Sequence, residues 1–124
     1  MLLGGKAILI VEDEILIAGL IEGMLQDLGC PDVTTASDLK GAFAAIGKYR
    51  FDAVILDMNL AGVSCAPVSC APFAETLEKH AIPFVFSTGY MAPASPHRWE
   101  KVPLLQKPYF SQDIEAALAK VLPK

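Results

Sequence analysis

The chain is 124 residues long, 53% hydrophobic and carries a formal charge of −4 at pH 7, a size that buries one core but not two. Its mean hydropathy of +0.43 brings no membrane span, because the longest apolar runs, Ala7 to Val11 and Ala53 to Leu56, stop at a carboxylate, far short of the roughly 20 residues a span needs. A pI near 5.0 excludes the clustered Lys and Arg of a nucleic-acid footprint, and three cysteines without CxxC or Cys/His spacing indicate neither a disulfide framework nor a zinc site.

The start Met1-Leu2-Leu3-Gly4-Gly5-Lys6 has no cationic region ahead of a long apolar segment, so no secretory signal is expected and the cytoplasm is the expected location. Ala7-Ile8-Leu9-Ile10-Val11 is a β-branched run, predicting a strand buried on both faces. From Glu14 to Leu28, Ile17, Leu20, Ile21, Met24, Leu25 and Leu28 fall at helical spacing and predict a helix. Gly29-Cys30-Pro31 closes it, with glycine just past the end and proline beyond. Val33 to Ala36 reads as a weak strand, followed by Ser37 as N-cap of a helix from Asp38 to about Lys48. Phe51 to Leu56 predicts the third strand, Phe73 to His80 a short third helix, and Pro83 to Ser87 the fourth strand.

Where a fourth helix would stand, Met91 to Lys101 has two prolines and little apolar period, which predicts a weak or irregular segment. Val102 to Gln106 is a short fifth strand containing Pro103. Ser111 then caps a last helix with Ile114, Leu118, Val121 and Leu122 on one face and Asp113 near the positive end of its dipole. One local oddity is a tandem repeat, Val63-Ser64-Cys65-Ala66-Pro67 followed at once by Val68-Ser69-Cys70-Ala71-Pro72. It reads as a small duplication in the loop after the third strand, where insertions cost little.

Five strands alternating with helices predict an α/β sandwich around a parallel sheet, because parallel strands need long right-handed crossovers. Residues 1–124 are expected to form a single domain. In such sheets functional residues gather outside the carboxyl ends of the strands, where strand order reverses. Those ends present Glu12 and Asp13, then Asp57, Thr88 and Lys107. Singly, each has an ordinary structural role open to it: Asp13 as the cap of the first helix, Asp57 and Thr88 in caps or turns, Lys107 as a solvated charge. Jointly they bring three carboxylates to one crevice, which raises their pKa values and costs stability unless a cation is present. Magnesium prefers such oxygen ligands, and with a lysine nearby an aspartate oxygen can attack a phosphoryl donor. Thr88 would hydrogen-bond a phosphoryl oxygen and begin a switch.

The stretches Ile8 to Glu14, Phe51 to Leu60, Ser87-Thr88-Gly89 and Leu105 to Tyr109 resemble the four signature blocks of CheY-like response-regulator receiver domains, in order and spacing, over nearly the whole chain. The resemblance implies a flavodoxin-like (βα)5 fold with strand order 2-1-3-4-5. It makes Asp57 the phosphoacceptor, Glu12 and Asp13 the acidic pair that holds Mg2+ with Asp57, Asn59 a metal ligand through its backbone carbonyl, Thr88 the switch hydroxyl and Lys107 the phosphate partner. It also implies a cis peptide before Pro108, for which proline makes the cost small.

Pro83-Phe84-Val85-Phe86-Ser87-Thr88-Gly89-Tyr90 is similar to the "FAT GUY" subgroup of single-domain receivers, with Ser87 where alanine is usual. The usual switch aromatic is replaced by Leu104, which leaves switching to Thr88, Tyr90 or the segment after it. That subgroup implies a sensor histidine kinase of the HWE type, or a histidine phosphotransferase, as phosphoryl donor, and general stress signalling in alphaproteobacteria. The implied protein is a phosphoacceptor rather than a turnover enzyme, signalling to a protein partner through the region from Tyr90 to Trp99 or the last helix, with neither nucleic acid nor membrane as partner. Removing one copy of the repeat restores the family's spacing between Asp57 and Thr88, so the extra residues are expected to bulge at the rim of the site. Two readings compete: a phosphate-independent interaction module of the same fold, and a small aspartate-nucleophile phosphohydrolase. Against the hydrolase, the first strand is followed by Glu12-Asp13-Glu14 rather than a DxD pattern, and the chain has no room for a cap domain.

Overall fold

A computed structural model describes residues 3–58, 71–88 and 101–122. In chain order the elements are β1 (Ala7–Val11), α1 (Ile15–Asp27), β2 (Asp32–Ala36), α2 (Leu39–Lys48), β3 (Ala53–Asp57), α3 (Ala71–Lys79), β4 (Phe84–Thr88), β5 (Leu104–Gln106) and α4 (Ser111–Val121). The strands form one parallel sheet of order β2-β1-β3-β4-β5, the expected flavodoxin-like arrangement. Strand order reverses between β1 and β3, so their carboxyl ends open onto a common crevice.

Along each central strand alternate side chains serve opposite cores, as a two-residue repeat requires. Leu9, Val11, Val54, Leu56, Phe84 and Phe86 pack with Ala42 of α2 and with Phe73 and Leu77 of α3. Ile8, Ile10, Ala53, Ile55 and Val85 pack with Ile21 and Leu25 of α1 and with Ile114 and Leu118 of α4. Burial on both faces explains why these strands read as unbroken apolar runs.

α1 ends as expected: Gly29 has φ +90°, its N–H donates to Gln26 and that of Cys30 to Leu25, the paired bonds of a Schellman closure. Leu20 departs from its apolar spacing. The buried stripe runs through Ala18, Ile21 and Leu25, and Leu20 is 60% exposed beside Ile15 at 83% and Leu16 at 84%.

Two caps differ from the sequence reading. Asp38, not Ser37, caps α2, its carboxylate accepting from the Gly41 N–H at 2.7 Å. α4 is entered from Phe110, whose N–H donates to the Asp113 carboxylate at 2.8 Å. The carboxylate three residues inside the helix thus satisfies the N–H of the cap residue itself, while the Asp113 N–H donates to the Phe110 carbonyl, and Ser111 is the first helical residue. β3 starts at Ala53 rather than Phe51, because the Asp52 side chain turns back to accept from the Ala7 N–H at 2.8 Å. β5 is only Leu104–Gln106, since Pro103 has no N–H for the ladder. The irregular segment expected at Met91 to Lys101 lies, except for Lys101, outside the described residues, as do most of the duplicated loop and Trp99.

Candidate functional site

Glu12 follows β1 directly, and its N–H still donates to Ala36 of β2 at 3.0 Å, so the side chain leaves a backbone held on the sheet. Asp57 ends β3 in register with Ser87 of β4. Both acidic side chains are almost wholly withdrawn from solvent, with 1% of the Glu12 and 3% of the Asp57 side chain exposed. One carboxylate oxygen each from Glu12, Asp13 and Asp57 lies within 4.8 Å of the others.

Lys107, immediately after β5, reaches into this cluster. Its Nζ donates to Glu12 Oε1 at 2.5 Å and to Asp57 Oδ2 at 3.3 Å, joining residues 95 and 50 positions apart. Its backbone N–H donates to the Thr88 carbonyl at 2.7 Å, and the Lys107-Pro108 peptide is cis. Thr88 is buried at the end of β4. Leu104 pairs with Phe86 across the sheet and is 45% exposed, away from this cluster. Asn59 and Tyr90 lie outside the described residues.

Burial disfavours the charged form of Glu12 and the neighbouring Asp57 adds to the effect, so despite the Lys107 hydrogen bond its carboxyl is pushed up to about 7. Burial alone would lower Lys107, but the Glu12 hydrogen bond and the Asp57 charge outweigh it and hold the ammonium above its ordinary value. The donor set is all oxygen, converging and short of positive charge, which fits a hard divalent cation such as magnesium.

Sequence reasoning missed two features. The Ser87 and Tyr109 hydroxyls meet at 3.0 Å in the protein interior, and burial holds the Tyr109 phenol above its ordinary pKa although the Ser87 bond opposes this. The signal was available: Ser87 has the same strand parity as Val85, hence faces the core that holds Tyr109. The second is an apolar groove of about 390 Å3 between α1 and the loop after β5, lined by Ile17, Leu20, Ile21, Met24, Lys107, Pro108 and Tyr109. Cys30 is a buried free thiol and belongs to the core. No helix among the described residues is long and apolar enough to cross a membrane.

The family model of the response regulator receiver domain matches residues 8–98. No curated protein sequence matches the chain. Among solved structures it is similar to SdrG from Sphingomonas melonis Fr1, at 40% identity over 92% of this chain and 93% of that one, with a TM-score of 0.80. The BeF3-activated conformation of SdrG from Pseudomonas melonis Fr1 gives 0.77 at 40% identity, over 94% and 95%. The receiver domain of the Erythrobacter litoralis PhyR response regulator is 26% identical over 94% and 89%, with a TM-score of 0.74. The chemotaxis response regulator CheY4 of Vibrio cholerae is 25% identical over 94% and 98%, with a TM-score of 0.73.

Proposed function

This chain belongs to the response regulator receiver domain family, and from that premise we propose that it is a phosphoacceptor which takes a phosphoryl group on Asp57 from a phosphohistidine protein. The observation that carries the reading is the Lys107 ammonium held between the buried carboxylates of Glu12 and Asp57. An ammonium set there is poised to meet the charge of an incoming phosphoryl group as well as that of its acceptor. Glu12, Asp13 and Asp57, with the Asn59 carbonyl by resemblance to the family, would hold magnesium. When bound, the ion offsets charge on the phosphoryl oxygens.

An Asp57 carboxylate oxygen attacks phosphorus, the phosphorus–nitrogen bond of the donor histidine breaks, an acyl phosphate forms, and the imidazole leaves with its electron pair and takes up a proton from water. Lys107 then pairs with the phosphoryl group, and Thr88 donates to one of its oxygens. That SdrG has a BeF3-activated conformation supports a conformational switch in a relative of this identity. The block from Pro83 to Tyr90 supports the FAT GUY subgroup, and with it a kinase of the HWE type as donor. The exposed Ile15, Leu16 and Leu20 on α1, the last of them lining the groove beside Lys107, support a protein as donor, since exposed apolar surface suits a protein partner rather than a small polar metabolite.

Incubation with magnesium and acetyl phosphate tests the reading. One hydroxylamine-labile label per chain is expected, and none in Asp57→Ala. A label that survives that substitution, or sustained hydrolysis of small phosphate esters, would overturn it.

A further inference from the structure

Ser87 is fully buried and Tyr109 is 8% exposed, and a buried hydroxyl without a partner is costly. Their 3.0 Å contact satisfies both, which alone would make them core furniture. What sets the pair apart is where its two ends are attached. Ser87 stands in register with Asp57 on the neighbouring strand, and its carbonyl accepts the N–H of Met58, the residue after Asp57, at 2.9 Å. Tyr109 comes two residues after Lys107, across Pro108. The side-chain bond therefore ties the strand beside Asp57 to the loop that bears Lys107.

A second tie runs parallel to it, from the Lys107 N–H to the Thr88 carbonyl at 2.7 Å. One attachment leaves a loop free to pivot, whereas two on either side of Lys107's own side chain fix its direction. The Tyr109 ring supplies rigidity, being packed in the core with Ile114 and Leu118 of α4. With Nζ at 3.3 Å from Asp57, little slack is left for misplacement.

We infer that Ser87 and Tyr109 are positioning residues whose hydroxyl pair aims the Lys107 ammonium at the phosphoryl group on Asp57. This rests on the proposed phosphoacceptor reading. Neither hydroxyl touches the reacting atoms: the pair acts on the loop, and the loop presents the ammonium.

The test compares wild type, Ser87→Ala, Tyr109→Phe and the double variant, labelled with magnesium and acetyl phosphate over a range of donor concentrations. Each single variant is expected to lower the maximal rate by about three- to tenfold, the scale of one hydrogen bond, with half-saturation by the donor unchanged. The double variant falls no further, because both changes remove the same bond. In 1H–15N spectra of the magnesium- and beryllofluoride-loaded protein, the Lys107 ammonium signal is expected to be sharp in wild type and broadened in the variants. Tyr109→Phe keeps the ring, so it decides the matter if Ser87→Ala does not fold. Wild-type rates and a wild-type lysine signal in Tyr109→Phe overturn the inference, as does strictly multiplicative loss in the double variant. Absence of label in wild type sinks the phosphoacceptor reading itself, whereas label in wild type with unchanged variants sinks this inference alone.

Discussion

Buried beside Asp57, the Glu12 carboxyl keeps its proton up to about pH 7 in the metal-free protein, and a divalent cation has to displace that proton to use the oxygen. Magnesium affinity is therefore expected to rise by about tenfold per pH unit below 7 and level off above it, with proton release on binding. Calorimetry in buffers of differing ionisation heat checks both; a pH-independent affinity contradicts the assignment of Glu12 as a ligand. Folding stability follows from the same shift. The folded Glu12 binds its proton more tightly than the unfolded chain does, so this contribution is complete below about 4.5 and is lost as pH rises through about 7. Lys107 is raised as well, so its contribution persists through this window and fades only above the ordinary lysine range.

Removing that ammonium exposes what it offsets. Lys107→Met leaves the nearly buried Glu12 and Asp57 carboxyl groups without their ammonium partner, and a loss of about 1–3 kcal/mol in metal-free stability is expected, with labelling of Asp57 largely abolished. Urea titrations with and without magnesium read the first effect, and the deficit should shrink when the ion is present. At this scale the acidic residues and Lys107 were legible because strand ends of a parallel sheet converge by topology alone. The hydroxyl pair was legible only in part, because strand parity turns Ser87 toward the core that holds Tyr109 but the meeting of the two hydroxyls waits on packing to set their side-chain torsions.

Asp38 shows what an element boundary rests on. Serine and aspartate both cap helices well, and with Ser37 and Asp38 adjacent, composition alone does not choose between them. The choice falls to backbone geometry: Asp38 is extended at φ −152°, ψ 173°, and its carboxylate meets the Gly41 N–H. Asp38→Ala is expected to cost about 1 kcal/mol, with Ser37→Ala within about 0.5 kcal/mol of wild type; equal losses in chemical denaturation would restore Ser37 as the cap. Labelling of Asp57 should be unchanged in both, since α2 supplies no site residue. The order of strands and helices was readable because buried parallel strands leave unbroken apolar runs and helices leave a 3.6-residue period. Their ends were less so, moving by a residue or two with local bonds such as Asp52 to Ala7. The exposure of Leu20 was hidden for a related reason: α1 carries more apolar residues than its core-facing stripe can bury.

Across the whole molecule, one sheet serves two cores, and the strands that fill both of them also deliver the acidic cluster at their ends. Exposed apolar side chains stand on α1 at Ile15, Leu16 and Leu20 and just before α4 at Phe110, and a groove that Leu20 helps to line opens next to Lys107; this is the surface proposed above for the phosphohistidine donor. Such side chains contribute little to folding where they stand exposed. Leu16→Asp with Leu20→Asp is therefore expected to leave the unfolding free energy within about 0.5 kcal/mol per substitution and to leave labelling by acetyl phosphate at the wild-type rate. Transfer from a phosphohistidine protein should fall by at least about tenfold, the loss of roughly 1.4 kcal/mol of binding. A parallel assay with the two donors separates the outcomes: if both slow equally, the substitutions have disturbed the site, and if neither slows, the donor docks elsewhere.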